Sequence, residues 1–211
     1  MTQNIYRMRP QRQSSIPNVI FALLIANGLM YAMQLQLSRS VWGGLALWPL
    51  DSPNPAFMPW QLVTYGFLHA PDDPLHIAFN MLVLWMFGRA IENFMGPRRF
   101  IIYYLSCVVG AGIVQLTVAK LMGEVYPTIG ASGGVFGILL AYGMTFPNRT
   151  VVLPIPPIPM KAKYFVLGFG LMELYLGVSG RAPGVANFAH LGGMLFGFAL
   201  IQYWRSAGRR R

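Results

Sequence analysis

The run Gly130-Ala131-Ser132-Gly133-Gly134 sets one hydroxyl among residues too small to shield it. A helix opening at Ser132 would point free N–H groups and its positive dipole end at that hydroxyl, an arrangement that favours negative charge. A serine so placed can act as a nucleophile and offer its own backbone N–H to the oxyanion that results. The small neighbours let a second helix or a substrate backbone come close. The purely structural alternative is that Ser132 caps a helix and the glycines only pack. The Gly-x-Ser-x-Gly spacing also matches the nucleophile elbow of α/β-hydrolases, but that elbow needs a preceding strand and a mostly parallel sheet. The surrounding sequence supplies no strands of that kind.

A nucleophilic serine needs a base, and the chain has three histidines: His69, His76 and His190. His190 stands in Asn187-Phe188-Ala189-His190-Leu191-Gly192-Gly193, inside an apolar run. An ionisable residue there is costly and reads as functional, the alternative being a structural interhelical hydrogen bond. Gly193 and Gly197 follow at i+3 and i+7 on the His190 face, while Gly133, Gly137 and Ala141 form a matching small face after Ser132. Close packing of the two faces would bring His190 to Ser132. His76 and Asn80, spaced i, i+4, can donate to an oxyanion together with the Ser132 N–H; otherwise they bind helices together or line a water site. His69 can order the loop before them. No carboxylate is obviously placed to orient His190, which favours a two-residue Ser–His mechanism over a triad. Glu173 lies mid-helix without an assigned role, to pair with a donor on a neighbouring helix or line a polar cavity.

The elements that must carry these residues follow from composition. Of 211 residues, 55% are hydrophobic and 10% charged, against about 25% charged in a typical soluble domain. Crossing a bilayer takes about 20 apolar residues, and six runs qualify as candidates: 18–37, 75–94, 100–120, 132–146, 162–178 and 185–204. Backbone groups in lipid must be satisfied within each segment, so the runs are helices. The fourth is short and follows Pro127-Thr128-Ile129-Gly130, so its helix should begin below the outer surface, which is tolerated only against protein or a water-filled cavity. Between the first two runs lie Trp42, Trp48 and Trp60 with Pro49, Pro53, Pro55 and Pro59, a segment too Pro-broken to cross and suited to the headgroup level. The chain thus divides into a basic tail (1–17), a membrane domain (18–204) and a second basic tail (205–211).

The net charge of +10 does not point to nucleic acid. Its sources sit in short clusters between apolar runs: Arg7, Arg9 and Arg12; Arg98 and Arg99; Arg149, Lys161 and Lys163; Arg205 and 209–211. With both termini cytoplasmic, six spans place all four clusters on that side and leave Arg39, Lys120 and Arg181 opposite, a positive-inside bias. The first residues, Arg-containing and free of acids, read as a cytoplasmic tail. The single cysteine, Cys107, excludes an intramolecular disulfide.

Taken together, these residues resemble the rhomboid family of intramembrane serine proteases. The resemblance covers residues 18–204 and rests on Gly130-Ala131-Ser132-Gly133, on Ala189-His190-Leu191-Gly192-Gly193 with Gly197, on His76-Ile77-Ala78-Phe79-Asn80, and on Glu92 with Gly96. It implies an all-α, six-helix bundle with a partly membrane-embedded loop between helices 1 and 2 and a fifth span acting as lateral gate. It also implies Ser132 as nucleophile, His190 as general base, and His76, Asn80 and the Ser132 amide as the oxyanion site. Departures are Trp60-Gln61, where the family often has Trp-Arg, and Phe136, where the aromatic packed on the catalytic histidine is commonly Tyr. The segment Pro71-Asp72-Asp73-Pro74 is a further variation.

The expected function is serine endopeptidase cleavage in or near the transmembrane segments of other membrane proteins, without metal or organic cofactor. The partners expected are such substrates and the lipid bilayer, not nucleic acid; the oligomeric state is not readable. The expected location is a bacterial inner membrane. Two rivals are a non-catalytic relative serving as a membrane-protein binding or quality-control factor, which should have lost Ser132 or His190, and a small transporter, which would tolerate Ser132→Ala.

Overall fold

The computed structural model describes residues 17–152, 158–181 and 186–209. It is mostly helical. Six longer helices run α1 (Asn18–Gln36), α4 (Pro74–Met95), α5 (Pro97–Met122), α6 (Ser132–Thr145), α7 (Ala162–Ser179) and α8 (Asn187–Arg209), with short helices α2 (Arg39–Trp42) and α3 (Gln61–Thr64) between α1 and α4. Residues 1–16 of the basic tail, Val185 at the expected start of the sixth run, and the final two arginines lie outside the described residues. By length and composition α1, α4 and α5 can each cross a membrane, and α6 is apolar but shorter.

The molecule buries small residues and shows large apolar ones outward. α6 is packed among α4, α5, α7 and α8, and Gly133, Gly134, Gly137, Ala141 and Gly143 are among its buried residues. Leu29, Leu75, Trp85, Leu121, Leu171 and Leu195 instead face outward. Water penalises such a surface, whereas lipid chains do not.

Polar side chains fasten the helix ends. Pro17 caps the start of α1, whose first N–H groups have no partner within the helix. Glu92, buried near the end of α4, accepts from the N–H groups of Val19 at 3.1 Å and Ile20 at 2.9 Å. Gly96 then turns the chain into α5 at a φ of +81°, a backbone region costly for any side chain.

The loop between α1 and α4 is held by amides. Buried Gln61 accepts from the Trp48 N–H at 3.2 Å and donates to the Gly44 and Ala56 carbonyls, both at 3.2 Å. Gln61 therefore anchors the loop at the position where the resemblance leads one to look for arginine. Gln34 of α1 grips the backbone of His69, accepting its N–H and donating to its carbonyl, each at 2.9 Å.

One element is absent from the sequence reading. Thr150–Val152 (β1) and Pro159–Lys161 (β2) pair antiparallel between α6 and α7. The run 151–160 carries prolines and no polar alternation, so a two-strand ribbon of three residues a side has no readable period.

Candidate active site

Ser132 is the first residue of α6, and the backbone before it is fixed by the neighbouring loop. Leu47 and Thr128 exchange backbone hydrogen bonds of 3.0 and 2.8 Å, and the Gly130 N–H donates to the Tyr65 carbonyl at 3.0 Å. Gly130 adopts a φ of +134°, and a methyl group on it would lie 3.0 Å from His76 Nε2 and 3.5 Å from Ser132 Oγ. Only glycine suits that place. The Ser132 side chain is not a helix cap: Ala131 occupies the cap position, and no side chain caps the helix there.

The hydroxyl goes instead to α8. Ser132 Oγ and His190 Nε2 are 2.7 Å apart. Two residues separated by 58 positions meet because α6 and α8 approach almost backbone to backbone. A methyl group on Gly193 would overlap the Gly133 carbonyl, one on Gly133 would strike Ala111 of α5, and one on Gly197 would strike the Tyr103 hydroxyl. The imidazole is also held on its face. Phe136, one turn after Ser132, stacks on it with ring centroids 4.4 Å apart and planes 3° from parallel.

Contrary to the expectation that no carboxylate is placed near His190, one lies beside its ring. Buried Glu173, on α7, brings Oε2 to 2.9 Å from His190 Nδ1. The oxygen lies off the N–H axis, so the pair is a close polar contact and not a linear hydrogen bond. The same Oε2 accepts from Asn187 Nδ2 at 2.6 Å. Sequence reasoning missed this partnership because it joins two helices. Two signals pointed to it: a carboxylate in the middle of an apolar run, and Asn187 at i−3 from His190 on one helix face.

His76 and Asn80 line the same cavity as Ser132 and His190, a cleft of about 1280 Å³. Asn80 Nδ2 donates to the His76 carbonyl at 2.8 Å, and His76 Nδ1 accepts the Ala70 N–H at 3.4 Å. That second bond leaves the proton on Nε2, the atom near Gly130. The cleft continues between α4 and α7, where Phe79, Val83 and Phe87 face Phe165 and Phe169. Gln115 and Glu124, joined by a 3.1 Å hydrogen bond, also line it.

His69 does not line this cleft. It is fully buried, neither ring nitrogen has a hydrogen-bond partner among the described residues, and its ring meets that of His76 edge to face at 5.0 Å. Burial, with the His76 charge as a second cause, lowers its pKa from 6.5 to about 4, so the ring is neutral at ordinary pH.

A hydroxyl bonded to an imidazole, N–H donors nearby and an apolar cleft leading in are the parts of an acyl-transfer site. The family model described as Rhomboid domain matches residues 56–206. The chain belongs to the rhomboid family. The matched region holds Ser132, His190, His76, Asn80 and Glu173, and leaves α1 outside it. Among curated rhomboid relatives, Rhomboid protein 1, mitochondrial, of Saccharomyces cerevisiae is 28% identical over 189 residues, covering 85% of this chain and 51% of that protein. Rhomboid protease GluP of Bacillus subtilis is 34% identical over 144 residues, 66% of this chain and 25% of that protein. The human presenilin-associated rhomboid-like protein, mitochondrial, is 32% identical over 132 residues, 61% of this chain and 34% of that protein. The chain thus spans between a quarter and about half of the length of these curated relatives.

Proposed function

We propose that this rhomboid is an intramembrane serine endopeptidase that cleaves peptide bonds in or near the transmembrane segments of other membrane proteins. The observation that carries the reading is the 2.7 Å contact between Ser132 Oγ and His190 Nε2 inside a cleft between helices. In this mechanism His190 takes the Ser132 proton as Oγ attacks the scissile carbonyl, then returns it to the departing amine. Water, deprotonated by the same imidazole, attacks the acyl-enzyme and restores the serine. The oxyanion is met by the Ser132 N–H, His76 Nε2–H and the Asn80 amide. The relative named a protease supports the class of reaction.

The architecture that goes with this function has six spans, with residues 18–204 as the membrane domain and basic tails 1–17 and 205–211 on the cytoplasmic side. At 14 residues, α6 is roughly 21 Å long, short of a hydrocarbon core of about 30 Å, so Ser132 lies below the outer surface. Asp51, in the loop between α1 and α4, approaches Lys120, assigned to the outer side, to 3.9 Å, which supports a common side for the two. Substrate enters laterally past α7, and helices that unwind readily are preferred because a regular helix shields its carbonyls. The bilayer assigned is a bacterial inner membrane; the mitochondrial names belong to the relatives that carry them.

The test is cleavage of a reporter transmembrane substrate in liposomes by wild type, Ser132→Ala and His190→Ala. Wild-type cleavage, and its loss in both variants, supports the reading. Folded wild type that neither cleaves nor reacts at Ser132 with a fluorophosphonate overturns it.

A further inference from the structure

We propose that Glu173, held in place by Asn187, is a positioning residue that fixes the tautomer and orientation of His190. The inference rests on the serine–histidine reading above and extends the two-residue site to a third helix. For His190 Nε2 to accept the Ser132 proton, the neutral ring must carry its own proton on Nδ1. A carboxylate beside Nδ1 favours that tautomer, since two unprotonated atoms facing each other would repel. Glu173 Oε2 lies 2.9 Å from Nδ1.

Three further observations support the assignment. The carboxylate is buried, so its interaction with the ring is screened much less than at the surface. Asn187 Nδ2 donates to the same oxygen at 2.6 Å, and Asn187 stands one turn before His190 on α8, so the carboxylate is aimed by the helix that carries the imidazole. Finally, the stacked Phe136 ring holds the imidazole plane, leaving rotation within that plane and the choice of tautomer to be fixed at the ring's edge. Glu173 does this from α7.

As Oγ attacks, the proton moves from Ser132 to Nε2 and the ring becomes an imidazolium with protons on both nitrogens. The Nδ1–H then faces a carboxylate whose charge opposes its own, and Glu173 itself stays unprotonated. The contact, off-axis in the resting site, can straighten as the ring gains charge, because catalytic hydrogen bonds tighten on the way to the transition state.

The experiment compares full-length wild type with Glu173→Gln, Glu173→Asp and Glu173→Leu in detergent, reading kcat and KM on the reporter and thermal stability. Carboxylates that orient metal-bound histidines contribute about 10- to 100-fold, and the same scale is expected here. Glu173→Leu should lower kcat by about that factor with KM nearly unchanged, Glu173→Gln should fall between, and Glu173→Asp should recover part of the loss. A second readout does not depend on turnover: nitrogen NMR of protein labelled in its three histidines, with His190 assigned by His190→Gln. Wild type should show His190 protonated on Nδ1, and Glu173→Leu a mixture of tautomers. Unchanged kcat in a folded Glu173→Leu, or the same His190 tautomer in both proteins, overturns the positioning role. Wild type inactive towards substrate and fluorophosphonate would instead overturn the protease reading, and the tautomer measurement would still decide the role of Glu173.

Discussion

Replacing Gly193 by Ala tests how tightly helix separation controls the site. The added methyl group would overlap the Gly133 carbonyl, a backbone atom that no rotamer change can move aside. Restoring ordinary van der Waals contact requires α8 to withdraw from α6 by on the order of 1 Å or more. His190 lies three residues before Gly193 on the same face, and Ser132 adjoins Gly133, so most of that displacement reaches the 2.7 Å contact. It would pass beyond the roughly 3.2 Å limit for a base to receive a proton directly. A 1 Å misplacement can cost about 100-fold in rate, and overpacking typically costs about 1–3 kcal/mol in stability. Reporter cleavage and thermal unfolding should therefore both register the change, activity more severely. Gly28→Ala is the control: none of the described residues lies within 4 Å of a methyl group there, and α1 gains up to about 1 kcal/mol from the loss of a helical glycine. If Gly193→Ala cleaves at the wild-type rate, close backbone approach does not set the dyad distance, and the reasoning fails.

Two further outcomes follow from the same geometry. Glu92→Ala removes the acceptor for the Val19 and Ile20 N–H groups, and hydrogen bonds to charged groups contribute about 1.5–3 kcal/mol each; the thermal midpoint should drop by several degrees, and an unchanged midpoint would show the cap to be idle. Stability should also decline on acidification from pH 6.5 to about 4 through His69, whose pKa is lowered to about 4 in the fold. The unfolded ring binds its proton first as pH falls, so the contribution is intact above 6.5 and on the order of 3 kcal/mol is lost by pH 4. His69→Phe should flatten that part of the profile relative to wild type, and parallel profiles for the two proteins would refute the assignment.

Much of the helix layout was readable because lipid imposes a simple rule on sequence. Apolar runs in lipid must be helical, and the six expected runs coincide with helices to within three residues at each described end except the last, where α8 continues to Arg209. The opening of α6 at Ser132 was readable from the preceding proline and glycine. The likeness of His76-Ile77-Ala78-Phe79-Asn80 and Ala189-His190-Leu191-Gly192-Gly193 to rhomboid sequences was readable too, each segment carrying its own pattern within one helix. The β1–β2 ribbon was not, since three residues a side leave no period to detect.

By itself, then, the sequence determined which residues could do chemistry, which helices carry them, and which small faces allow close approach, because all of these depend on neighbours a few positions apart. Only the tertiary structure decided who meets whom. It set Ser132 against His190 across two helices, stacked Phe136 on the ring, and drew Glu173 and Asn187 from α7 and α8 to one carboxylate oxygen. An ionisable residue within an apolar run announces that it needs a partner, since apolar surroundings offer it none. Which partner it finds depends on the rotation of each helix about its axis, and that is fixed by packing against several other helices at once.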